Sequence, residues 1–194
     1  LHAVISTYGD KGTPHLDVFQ KNNPSIECHI LYSNEKSNTA WRNCDVFARD
    51  WWKVNRFKIS ATHVLFIEHD VYWNIPIDFE PKDFIARDVF LVGTRKWDWW
   101  KEAHNLPKDI QKFSAGCQPF GIRVMSRYAL DLLSQPVFDE LYSLDMMCEL
   151  RTPTILNSLG IKLSNFNPPL RGNITCREIK LPKHSVGVFH AIKK

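Results

Sequence analysis

Apolar residues recur along the chain in short runs that alternate with stretches of helical spacing. "LHAVIST" (1–7) is a buried strand closed by the turn-rich "YGDKGTP", and "HLDVFQKNN" reads as a short amphipathic helix. "SIECHILYS" (25–33) is a second strand. Trp41, Cys44, Phe47, Ala48, Trp51 and Trp52 then fall at helical spacing, predicting one long helix from Ser37 to Asn55 with Ser37 or Asn38 as its N-cap. "THVLFIE" (62–68) is the third strand. Strand, helix, strand, helix, strand within about seventy residues is a βαβαβ unit, which implies a parallel sheet with helices on both faces and a ligand at the carboxyl ends of its strands.

In the second half, "DVFLVGT" (88–94), "FGIRVMS" (120–126) and the final "SVGVFHAIKK" read as strands. "RYALDLLSQ", "DELYSLDMMCEL" and "TPTILNSLG" read as helices, with Pro153 in a first turn and Gly160 as a C-terminal cap. The expected fold class is α/β, a single domain with a Rossmann-like N-terminal half and a central, mostly parallel mixed sheet of about six or more strands flanked by helices. Residues 1–95 and 96–194 read as the two halves of this domain. The chain starts inside a strand-like run, so it reads as a domain excised from something longer.

At 194 residues the chain suits one domain with a sizeable core. Twelve Phe, seven Trp and five Tyr suit a thick core or a ring-stacking site. The formal charge of +4 comes from interspersed residues rather than a basic run, which favours anionic small molecules slightly and gives no case for nucleic acid. Five cysteines, Cys28, Cys44, Cys117, Cys148 and Cys176, lack any C-x-x-C pair, as a reduced, cytoplasmic protein would. No apolar run approaches the roughly 18 residues of a membrane helix.

The chemistry concentrates where the third strand ends. In "VLFIEHD", Glu68 and Asp70 are one residue apart, so in extended backbone they point to one side and could share a cation that offsets their repulsion; the alternative is a solvated strand end, or a pairing of one of them with His69. That segment resembles the metal-binding segment of GT-A-fold glycosyltransferases, usually D-x-D, whose carboxylates hold Mn2+ or Mg2+ against the diphosphate of a nucleotide sugar. Glutamate at the first position departs from that pattern and leaves open which residue is the direct ligand; Asp70 is the favoured one.

The resemblance implies that 1–95 is the nucleotide-binding half and 96–194 the acceptor-binding half, and it extends loosely to glycosyltransferase domains encoded by large algal viruses, for which the location is the host cytoplasm. Thr7, Tyr8 and Asp10 would meet the nucleotide at the end of the first strand, Asn34 at the end of the second, and Arg42 and Asp45 from the following helix. Glu68 and His69 would lie beside the donor, His190 would be a late third metal ligand, and Trp97, in "RKWDWW" with Asp98, Trp99 and Trp100, would wall the donor or acceptor sugar. "SAGCQPFG" (114–121) would bring backbone close to the donor sugar. Asp145 and Glu149, four apart and so on one face of a helix, would supply the catalytic base, Glu149 by preference.

The resulting expectation is a metal-dependent hexosyltransferase that moves a sugar from a UDP-sugar to a carbohydrate acceptor. Two other readings stay open: a metal-dependent nucleotidyltransferase, since E-x-D at a strand end also suits two-metal chemistry, and a non-catalytic carbohydrate-binding module. There is no Walker-type phosphate loop and no G-x-G-x-x-G.

Overall fold

A computed structural model describes residues 1–8, 11–33, 40–168, 174–179 and 186–192. The chain begins β1 (His2–Tyr8), α1 (Leu16–Asn22), β2 (Glu27–Ser33), α2 (Cys44–Asn55) and β3 (His63–Glu68). The short strands β4 (Tyr72–Trp73), β5 (Phe84–Ala86) and β6 (Val89–Leu91) follow, then a 3-10 segment, Asp98–Asn105. β7 (Ala115–Cys117), β8 (Ile122–Ser126), α3 (Arg127–Leu133), α4 (Cys148–Ser158), β9 (Leu163–Asn165), β10 (Ile174–Ile179) and β11 (Val188–Ile192) complete the core elements.

The expected α/β architecture is present. Six strands run in the order β2-β1-β3-β8-β5-β9, and only β8 lies antiparallel to its neighbours. Both faces of this sheet are covered, and the period-two alternation of the strands divides their side chains between the two sides. Val4, Val64, Phe66, Phe84 and Met125 pack under α2 and α4, against Trp51, Trp52, Leu150 and Ile155. Ala3, Ile5, Leu65, Ile67, Ile85 and Val124 face the other way, onto Phe19 of α1, Trp73, Ile174 and Val188. The strands bearing those last three side chains form a separate sheet, β10-β11-β4, which therefore sits over the second face. No helix among the described residues is long and apolar enough to cross a membrane.

Several boundaries differ from the sequence expectation. The long helix begins at Cys44 rather than Ser37, and its expected N-caps lie outside the described residues. Residues 88–94 give only β6, which pairs with β7 in a two-stranded ribbon apart from the main sheet. Pro153 lies inside α4, not in a first turn, because the helix starts at Cys148 and runs through it. The expected helix over 139–150 breaks after Ser143. Arg151 sets that break: fully buried, it donates to the Leu144 carbonyl at 2.7 Å and clamps Asp45 through Nε and Nη2 at 2.9 and 2.7 Å. Gly160 takes φ of +75° just beyond the end of α4, the left-handed cap expected of it.

Candidate active site

β1 and β3 are parallel and in register, with Ser6 opposite Glu68, so their carboxyl ends open on one edge. Beyond Glu68 the chain turns, the Val71 amide bonding the Glu68 carbonyl at 3.1 Å, and Asp70 follows in that turn. The Asp70 carbonyl then accepts from the Ile192 amide at 3.0 Å, which draws β11 alongside and delivers His190. His190 Nε2 stands 3.1 Å from Glu68 Oε2 and 3.5 Å from Asp70 Oδ1. One ligand atom from each of these three residues lies within 4.8 Å of the others.

The electrostatics of this trio are unbalanced. Burial works against the Glu68 carboxylate, but its hydrogen bond to His190 and the charges of His190, Arg123 and His69 outweigh that and hold it below its ordinary value. Asp70 moves the opposite way: burial pushes its carboxyl up, His190 offsets part of this, and the Glu68 charge adds to it. Asp70 Oδ1 is buried with no hydrogen bond among the described residues. Two oxygen donors and an imidazole in this arrangement fit a divalent cation such as Mn2+ or Mg2+, whose charge would remove the Asp70 penalty.

Gly121 makes the trio possible. Its carbonyl accepts from the Glu68 amide at 2.8 Å, and a Cβ built on it would lie 2.5 Å from Glu68 Oε2 and 2.8 Å from His190 Nε2. Gly121→Ala should therefore splay the carboxylate and imidazole and lower Mn2+ affinity by about 10- to 100-fold, measured by calorimetry.

A cleft of about 280 Å³ opens from Glu68 and His190, past Glu149, to Trp41 and Trp99. Glu149 sits in the first turn of α4, 8% exposed, and accepts from the Phe120 amide at 3.1 Å. Burial pushes its carboxyl up to about 8; the Phe120 bond lowers it and the Glu68 charge raises it further. On the other side of Glu68, a groove lined by Thr7, Tyr8, Leu31, Ser33 and Phe47 runs along the ends of β1 and β2, and Trp41 borders both spaces.

The structure brings Glu68, Asp70, His190, Glu149, Thr7 and Tyr8 to this one edge. Thr7 is buried and donates to the Gly12 carbonyl at 2.8 Å. His69 meets Tyr8 edge-on, with ring centroids 4.9 Å apart, and borders a small apolar pocket with Ile5 and Phe19. Asp10 and Asn34 lie outside the described residues.

Other expected residues are spent elsewhere. Asp45 is buried, its oxygens taken by Arg151 and Thr152. Arg42 bridges Glu102 and Asp145 at 3.1 and 3.2 Å. Asp145 does not share a helix face with Glu149: it lies in the break between helices, its side chain 97% exposed and paired with Arg42. Trp97 packs edge-on against Phe90 and Trp100 and presses on Gly116, while Trp99 lines the cleft. Arg123, unforeseen, is buried beneath the 118–121 turn, donating to the Phe120 and Cys44 carbonyls at 2.8 and 3.2 Å. A lone arginine inside the apolar "FGIRVMS" was its only trace.

Neither the known protein families nor the curated proteins give a sequence match. Among solved structures, a glycosyltransferase involved in glycosylation of the major capsid of PBCV-1 is similar, at TM-score 0.51 and 10% identity over 89% of this chain and 85% of that one. The galactosyltransferase LgtC, solved with donor and acceptor sugar analogues, has TM-score 0.47 and 11% identity over 85% and 73% of the two chains. An inositol-1-phosphate CTP transferase from T. maritima has TM-score 0.45 and 8% identity over 85% and 84%. The fold of this chain is the GT-A fold of glycosyltransferases.

Proposed function

We propose that this chain is a metal-dependent glycosyltransferase that moves a hexose from a UDP-sugar to a carbohydrate hydroxyl. The observation that carries the reading is the Glu68, Asp70 and His190 trio at the carboxyl edge of a GT-A sheet, with a buried Asp70 oxygen that has no hydrogen bond among the described residues. Asp70, His190 and Glu68 would be the ligands in this reading, the His190 Nε2 that now bonds Glu68 giving its lone pair to the cation instead. The bound cation would neutralise the diphosphate as it leaves. Thr7 and Tyr8, in the adjoining groove, would hold the nucleoside. Glu149 would take the proton of the acceptor hydroxyl as its oxygen bonds to the anomeric carbon and the bond from that carbon to the diphosphate breaks. Its carboxyl, raised to about 8, suits a base that must gain and give up a proton near neutrality.

Calorimetry against a nucleotide panel, with and without Mn2+, tests the reading. UDP should bind in the presence of Mn2+ and lose that binding with EDTA. A protein that binds no nucleotide in a metal-dependent way would overturn the proposal.

A further inference from the structure

The far end of the cleft has a chemistry of its own. Trp41 and Trp99 stand with ring centroids 5.9 Å apart and planes inclined by 55°, so they form an angled apolar wall rather than a closed stack. Trp41 is 39% exposed, which is costly for an indole in water unless something covers it. Trp99 borders this cleft and not the groove along β1 and β2. The Arg42 guanidinium lies 5.9 and 5.7 Å from the two rings, and its ion pair with Glu102 fixes it there.

Glu102 also ties the wall to Glu149. Its second oxygen accepts from the Met147 amide at 2.7 Å, immediately before α4. The 3-10 segment bearing Trp99 and the helix bearing Glu149 are therefore held on one frame. Among the described residues, the polar side chains that line the cleft beside Glu68, His190 and the two indoles are Glu149, Gln118 and the Cys148 thiol.

We infer that Trp99, with Trp41, is the acceptor subsite and that it takes a pyranoside. The sugar lays its C–H face on the Trp99 indole and turns a hydroxyl toward Glu149. This rests on the glycosyltransferase reading above, and it adds the residues that receive the acceptor sugar.

Saturation-transfer NMR on the protein with Mn2+ and UDP tests it, using methyl β-glucopyranoside, methyl β-galactopyranoside and a serine-containing peptide as probes. The ring C–H protons of at least one glycoside should receive saturation and the peptide none. Trp99→Ala should weaken the glycoside about tenfold, and Trp99→Phe should retain most of the binding. Calorimetry of UDP with Mn2+ on the same samples reports whether each variant is folded and its donor half intact. UDP binding with no glycoside signal, saturation of the peptide alone, or a Trp99→Ala signal equal to wild type would each overturn the subsite while leaving the glycosyltransferase reading in place. Failure of the wild-type protein to bind UDP with Mn2+ would overturn both.

Discussion

Asp70→Asn is expected to abolish Mn2+-dependent UDP binding and lower transfer by at least about 10³-fold, while making the cation-free protein more stable. The two effects have one cause. Burial and the Glu68 charge both raise the Asp70 carboxyl, so its ionised form at neutral pH is a cost that the folded protein carries until a cation arrives. A group whose folded pKa lies above its unfolded value withdraws stability as pH rises through that interval. The amide removes this penalty, and a gain of about 1 kcal/mol would appear as roughly 2–4 °C in melting temperature. Glu68→Gln should behave oppositely in EDTA. Its carboxyl is held low by His190, so the ionised group stabilises the fold above its unfolded pKa, and replacing it lowers the melting temperature. Scanning fluorimetry of both variants, with Mn2+ and with EDTA, checks the pair. An Asp70→Asn protein that melts lower in EDTA and keeps its Mn2+ response would refute the assignment.

How much of this was legible in the sequence depends on how local the determining physics was. β1 and β3 carry apolar runs because both faces of the sheet are covered there, and such runs can be read directly, whereas the edge strand β2 is largely exposed. The E-x-D spacing at the end of β3 likewise follows from strand geometry alone. His190 was readable as an imidazole in an apolar strand, yet its arrival beside Glu68 depends on the Asp70 to Ile192 backbone bond across 122 positions. Of the strands of two or three residues, β6 lies within the apolar run 88–94 and was readable, while β4, β5, β7 and β9 leave too short a period to detect.

Asp45 and Asp145 show a different limit. On sequence both are acidic residues inside an expected helix. Only the tertiary clamp of Arg151 on Asp45, and its bond to the Leu144 carbonyl, makes one an interior counter-ion and leaves the other outside. The same clamp ends the helix before Asp145 with no glycine or proline to announce it. Trp97 and Trp99, two residues apart, divide similarly: Gly116 and Phe90 receive the first, and the cleft receives the second.

Glu149→Gln should reduce turnover by about 10²- to 10⁴-fold while leaving Mn2+-dependent UDP binding in place, since the side chain contributes a proton acceptor and no cation ligand. The stability of the cation-free protein gives an independent readout. In the unfolded chain Glu149 ionises at the ordinary carboxylate value, whereas in the folded protein burial holds the proton until about pH 8. Between those limits the folded state binds more protons than the unfolded one, so this residue's contribution falls as pH rises and then levels off. The Gln variant lacks that slope. It should melt close to wild type near pH 4.5 and progressively above it as pH approaches 8, with the difference constant beyond. In the loaded enzyme the cation's positive charge draws the Glu149 carboxyl downward, so the acidic limb of the rate profile should fall below about pH 8. That limb should vanish from the residual activity of Glu149→Gln. An unchanged limb would assign the proton transfer to another group, and a flat melting difference across the whole range would mean that the Glu149 carboxyl is not raised at all.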